Sequence, residues 1–183
     1  MINLSSTFEQ IVIPLIEEYQ NKYGGKNIHE YFFDILSKAR TSFESVCTKD
    51  KGQSWKNESG ELLENLVVYF IQKTVIEYGY DLTSDNVLEK SETNDSILSK
   101  VYRNVVVRYG KYSVIPDGDI IIFNPMSGEV KAIISCKNSL RERFTQTLYW
   151  KLKLSLDPIT APIKMYFVTI DKEDGKKPAL DID

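Results

Sequence analysis

Among the residues able to do chemistry, one acid and one lysine stand out by position. Asp117 opens the apolar stretch Asp117-Gly118-Asp119-Ile120-Ile121-Ile122-Phe123, and Lys137 closes the next, which runs from Val130 through Ser135 and Cys136. Between them lies Asn124-Pro125-Met126-Ser127-Gly128, dense in turn formers, so the two stretches predict a hairpin. In an antiparallel pair the start of one strand lies beside the end of the other. Asp117 and Lys137 are thereby brought to one sheet edge. Side chains alternate along a strand, so Ser135 shares a face with Lys137 while Cys136 points the other way, into a core. An acid and an amine so placed can move protons, and the acid can hold a hard cation.

What the chain lacks narrows the choice further. His29 is the single histidine, and Cys47 and Cys136 are far apart in sequence, so neither a zinc centre nor a disulfide framework is expected. There is no G-x-S-x-G elbow, no G-x-x-x-x-G-K-[ST] and no G-x-G-x-x-G. The longest apolar run, Leu66 to Ile71, is far short of the ~20 residues that span a bilayer. The first residues lack the basic and apolar regions of a signal peptide. With two cysteines, a reducing cytoplasm is the expected compartment, and no membrane partner is expected.

Pro116-Asp117, seventeen intervening residues, then Ser135-Cys136-Lys137 at the end of an apolar strand resembles the PD-(D/E)XK nuclease superfamily, and within it the type II restriction endonucleases of bacteria. The run Ser135-Cys136-Lys137-Asn138-Ser139-Leu140-Arg141-Glu142-Arg143 is similar to the S-x-K-x-S-L-R-E-R segment of certain members. The resemblance covers about Ser59 to Ile170. It implies a Mg²⁺-dependent endonuclease acting on double-stranded DNA, with Asp117 as catalytic acid and metal ligand and Lys137 as the catalytic amine. Carboxylates would hold Mg²⁺, and Lys137 would stabilise charge developing on the phosphate and orient or deprotonate the attacking water. Ser135 stands where the superfamily carries its second carboxylate and cannot bring charge to a cation. Two glutamates compete to replace it. Glu142 follows Lys137 by five residues, yet it also completes the Ser139-Leu140-Arg141-Glu142 capping box. Glu64 falls at the border of a helical apolar face, whereas Glu61 points to the polar side. Asp119 is either a cap on its strand or a further metal ligand.

The same region is basic. Lys131, Lys137, Arg141, Arg143, Lys151 and Lys153 face the single acid Glu142 between residues 131 and 153, in a chain of net charge −3. DNA binding needs local, not global, positive charge. Arg141 and Arg143 are the expected phosphate contacts, with Gln146 and Tyr149 resembling a Q-x-x-Y pair of related nucleases.

These residues need an α/β scaffold to hold them. Ser5 and Ser6 cap a helix to about Tyr23, with Pro14 kinking or restarting it. A second helix covers His29 to Ser45, with His29 itself a surface or cap residue. A third runs from Ser59 to about Tyr78, with Leu62, Leu63, Leu66, Val67, Phe70, Ile71 and Val75 on one face. Residues 81–100 read as a polar connector, and Val101 to Tyr109 as a strand. The hairpin follows, then a helix from Leu140 to about Ser155 with Phe144, Leu148 and Leu152 in the core, then a strand from Ile163 to Ile170. The expectation is one restriction-endonuclease-like domain with a mixed central sheet flanked by helices. It would comprise a helical N-terminal part (1–58), a catalytic core (59–170) and a tail (171–183). Such a chain would work as a homodimer on palindromic DNA or beside a specificity subunit. The rival reading is a degenerate nuclease fold that binds without cutting.

Overall fold

Ser5 and Pro14 shape the start of the chain in the computed structural model, which describes residues 2–24, 27–46, 50–91, 96–138 and 143–170. Ser5 Oγ accepts the Phe8 N–H at 3.2 Å. A π-helical turn over Phe8–Val12 then passes into helix α1 (Ile13–Tyr23). Pro14 sits in the first turn of α1, where a missing N–H breaks no intrahelical bond, so it restarts the helix as expected. A short 3₁₀ turn over Ile28–Tyr31 leads into α2 (Phe32–Val46), whose Ile35, Leu36 and Ala39 are buried; His29 is exposed. Tyr23 stacks on Tyr31 with ring centroids 4.3 Å apart, tying α1 to that turn. Helix α3 spans Lys51–Glu77, eight residues earlier than the expected start at Ser59. The reason is Asp50, whose Oδ1 accepts the N–H groups of Gly52 at 3.0 Å and Gln53 at 3.2 Å.

Two compact units result. One gathers residues 4–63 with 137–139 and 169–183. The other comprises residues 1–3, 64–136 and 140–168. In this second unit the segment expected to be a connector is structured. It forms strand β1 (Asp81–Thr83), the short helix α4 (Asp85–Glu89) and helix α5 (Ile97–Val105). The strand expected over Val101 to Tyr109 is mostly this helix. Ser96 caps it by accepting the Ser99 N–H, and Val101, Tyr102 and Val105 fall at the i, i+1, i+4 positions of a buried face. Three β-branched residues in a row therefore straddle a helix end, and only Val107–Tyr109 is extended, as β2 paired with β3 (Tyr112–Val114).

The sheet has the order β1-β4-β5-β6, with β4 at Ile120–Phe123, β5 at Val130–Lys137 and β6 at Lys164–Thr169. β4 pairs antiparallel with both β1 and β5, and the crossover through helix α6 (Arg143–Leu154) lays β6 beside β5. The hairpin expected from residues 119–136 forms. Asn124 accepts the Gly128 N–H on its carbonyl at 2.8 Å and the Met126 N–H on its side chain at 2.8 Å. Asn104 of α5 donates to the Gly128 carbonyl at 2.9 Å and docks the helix on the turn. Ile121, Phe123, Val130 and Ile133 pack with Leu88, Val101, Tyr102, Val105, Leu154 and Ile163 in one core.

Ile133 also explains Gly118. A Cβ on Gly118 would lie 2.1 Å from Ile133 Cγ2, so the chain entering β4 crosses that side chain with no room for a methyl group. Gly118→Ala is expected to destabilise the protein by about 1–3 kcal/mol. In a double-mutant cycle with Ile133→Val, denaturant unfolding should show that the two changes are coupled and not additive.

Candidate functional site

The site sits where the β4–β5 ladder ends. The paired register runs to Ile120 opposite Ile134, and beyond it the entering chain lifts off the ladder at Gly118. The Cys136 N–H is left without a ladder carbonyl and instead donates to Asp119 Oδ2 at 2.6 Å. A charged acceptor on a buried strand N–H is among the stronger hydrogen bonds a protein makes. Asp119 thus fixes the last turn of the pleat before Lys137, which closes β5 at the same end of the pair where Asp117 enters β4. Asp117 and Asp119 are half-buried. Ser135 is 1% exposed and Cys136, the buried free thiol, 2% exposed.

The sequence reading did not single out a third acid, Asp85. It starts α4 immediately after β1, the edge strand on the other side of β4, whose Thr83 pairs with Ile121. Burial pushes the Asp85 carboxyl above its ordinary range, and the negative charges of Asp119, Glu89 and Asp117 push it further the same way. Its Oδ1 accepts the Asn86 N–H at 2.6 Å, which pulls against that shift. Asp85, Asp117 and Asp119 therefore share one patch of negative potential at the strand ends. The signal in the sequence was Ser84-Asp85 before Val87-Leu88, a helix start, hidden by the polar residues around it.

Glu64 lies half-buried on α3. Glu142 and Arg141 fall outside the described residues, as do Ser139 and Leu140 of the expected cap. Helix α6 opens on Arg143, and Gln146 is exposed on it. Among the described residues no group of three or more His, Cys, Asp or Glu forms a ready cation cage.

Several of the expected cations have partners within the fold. Lys131 pairs with Glu129. Lys151 Nζ donates to the Ile163 carbonyl at 2.7 Å. Lys153 Nζ lies over the rings of Tyr109 and Tyr149, 5.2 and 5.6 Å from their centroids. The two tyrosine hydroxyls bond to each other at 2.7 Å, and this pushes the Tyr109 hydroxyl up to about 12. One placement corrects the sequence reading of α6. Phe144 packs edge-on against Phe167 of β6, but Leu148 and Leu152 are exposed, not core. Their spacing from Phe144 is helical, yet the inward side of α6 is taken by Thr147 and Leu154.

Comparison with known proteins adds identity to this geometry. Residues 96–177 match the family model described as BsaWI restriction endonuclease type 2. A Methanocaldococcus jannaschii protein named as the type II restriction enzyme MjaVIP is 32% identical over 165 residues, covering 89% of this chain and 70% of its own length. A Helicobacter pylori protein named as the type II restriction enzyme HpyAORF263P is 38% identical over 124 residues, covering 67% of this chain and 63% of its own length. The match to the archaeal relative runs through both compact units and through the strand ends that carry Asp85, Asp117, Asp119 and Lys137. The chain belongs to the type II restriction endonuclease family.

Proposed function

We propose that the protein is a Mg²⁺-dependent endodeoxyribonuclease that hydrolyses phosphodiester bonds of double-stranded DNA, with its reacting groups at the ends of β4 and β5. The observation that carries this reading is the arrival of Asp117, Asp119 and Asp85 at the strand ends where β5 closes on Lys137. The donor set decides the cation. Carboxylate oxygens without histidine or an exposed thiolate suit Mg²⁺ and not zinc, and Mg²⁺ needs only one or two protein carboxylates when waters and substrate phosphates complete its shell. Asp117 and Asp85 would hold it, with Glu142 or Glu64 as the further acid. When bound, the ion supplies positive charge at the scissile phosphate and a more acidic water.

The remaining work falls to the chain itself. The Lys137 ammonium would meet the charge that builds on the phosphoryl oxygens and hold the attacking water by a donated hydrogen bond. Asp119 would keep the end of β5, and with it Lys137, in register through the Cys136 N–H. Arg141 and Arg143 would contact backbone phosphates, and Gln146 is exposed to reach a base edge. The buried Ser135 supports a second reading, a member of the fold that binds DNA without cutting it. Purified protein incubated with plasmid should cut with Mg²⁺ and not with Ca²⁺; DNA binding with no cut in either metal would favour the second reading.

Asp117→Ala and Lys137→Ala are each expected to lower the cleavage rate by on the order of 10²–10³-fold, the loss typical of a group that stabilises transition-state charge. Asp119 separates the two roles it could have. Asp119→Asn keeps an acceptor for the Cys136 N–H and should retain most activity, whereas Asp119→Ala strands that buried donor and should cost about 1–3 kcal/mol of stability. Unfolding curves and initial rates on the two variants check this.

Asp85 makes a pH prediction. Its carboxyl is raised in the folded state above the ordinary 3.8, so ionisation is less favourable folded than unfolded. That penalty grows as pH rises through the window above 3.8 and is absent well below it. In metal-free buffer, Asp85→Asn should therefore be more stable than the unaltered protein at neutral pH, with the gap closing toward pH 3.8. Added Mg²⁺ should raise the melting temperature of the unaltered protein more than that of the variant.

A further inference from the structure

Helix α6 carries an apolar row on its outer side that nothing in its own unit covers. Leu148 and Leu152 are 54% and 62% exposed, and Leu156, four residues on in the turn after the helix, is 71% exposed. Tyr149 and Ile159 are exposed as well. The inward side of α6 is occupied by Phe144, Thr147 and Leu154, so this is not a helix turned the wrong way round. It is a helix with two apolar sides.

The lysines of α6 do not interrupt this surface. Lys151 is drawn to the Ile163 carbonyl and Lys153 to the rings of Tyr109 and Tyr149, so both ammonium groups are engaged by their own chain. The row itself is uncharged. That matters for choosing what covers it. A patch that meets its own copy across a two-fold axis must not repel itself, and a row of leucines flanked by committed lysines satisfies this, whereas a phosphate backbone would find neither a free cation nor a donor on it.

The area points the same way. Five side chains at these exposures present on the order of 500 Å² of apolar surface, the size of patch that marks an interaction site on an otherwise soluble protein. Covered by a second copy of the same patch, this becomes on the order of 1,000 Å², and a polar rim carries it into the range of specific interfaces. We propose that the outer face of α6, through Leu148, Leu152 and Leu156, is the surface on which two copies of this chain pair with two-fold symmetry. The pairing does not depend on the nuclease reading. It would add to that reading by bringing two Asp117–Lys137 strand ends into one particle, one for each strand of a duplex.

The test is mass in solution. Sedimentation velocity of the full chain at micromolar concentration should give twice the 21.1 kDa of one copy. Leu148→Glu with Leu152→Glu should shift the protein to a single copy, raising the dissociation constant at least about 100-fold, with an unchanged far-ultraviolet spectrum because both side chains lie outside the core. Leu152→Cys, on a background in which Cys47 and Cys136 are serine, should form an intermolecular disulfide under mild oxidation, and Lys90→Cys on the same background should not. A single copy at every concentration, whether because another polypeptide covers the row or because none does, would overturn the proposal. So would a pair that survives both glutamates. Each of these outcomes leaves the Mg²⁺-dependent cleavage assay free to succeed or fail separately.

Discussion

The site depends on how a two-strand ladder is brought to an end. An antiparallel pair that simply stops leaves strand N–H groups without partners, and inside a sheet that is costly. Here the ladder stops at Ile120 and Ile134, Gly118 lets the incoming chain cross over Ile133, and the Asp119 carboxylate takes the Cys136 N–H. The same few residues therefore solve a structural problem and leave an acid, Asp117, just outside the sheet where β5 delivers Lys137. A side chain on Gly118 would push the two strands apart, and loss of the Asp119 acceptor would free the end of β5. The chemistry is placed by backbone constraints before any substrate is present.

The serine at position 135 fits this geometry. It is buried, beside a carboxylate already bonded to the next residue's N–H, and a second ionised group there would be desolvated next to Asp119. The fold instead puts its additional negative charge on Asp85, across β4 on the edge strand's exit, where partial exposure lowers the cost of ionisation. The raised carboxyl of Asp85 shows that this placement still carries strain in the absence of a counter-ion. Acids held together against mutual repulsion make a stretch of surface whose stability rises when a cation arrives, which is the behaviour expected of a resident Mg²⁺ site in the proposed nuclease.

How much of this was legible follows from which interactions are local. The Ile120–Phe123 run, the Asn124 turn and the Val130–Cys136 run announce a hairpin because alternation and turn chemistry are short-range, and the placement of Asp117 and Lys137 came with it. Asp85 was hidden because β1 is only three residues long and its partner strand is forty residues away; pairing of that kind leaves no period in the sequence. Val105-Val106-Val107 read as a strand by composition, yet the Ser96 cap and the buried positions of Val101, Tyr102 and Val105 carry the helix through Val105. Asp50 began α3 early for a similar reason, since one carboxylate serving two N–H groups outweighs the polar character of residues 51–58.

The outward leucines of α6 mark a different boundary. Apolar residues at helical spacing say that a face seeks cover, and Phe144, Leu148 and Leu152 do have that spacing. They do not say which chain supplies the cover. Phe144 finds Phe167 within its own unit, while Leu148 and Leu152 find solvent, because Thr147 and Leu154 have taken the inward side. The engagement of Lys151 and Lys153 belongs to the same balance. Moving two ammonium groups onto carbonyls and aromatic rings removes the charges that would make the row comfortable in water, and it removes them from the pool available to DNA. With Lys131 also paired, phosphate attraction in the proposed complex falls to Lys137, Arg141 and Arg143, clustered between the end of β5 and the start of α6. A chain of net charge −3 can then meet a polyanion through one short basic segment, leaving the adjoining helix free to serve as an apolar surface.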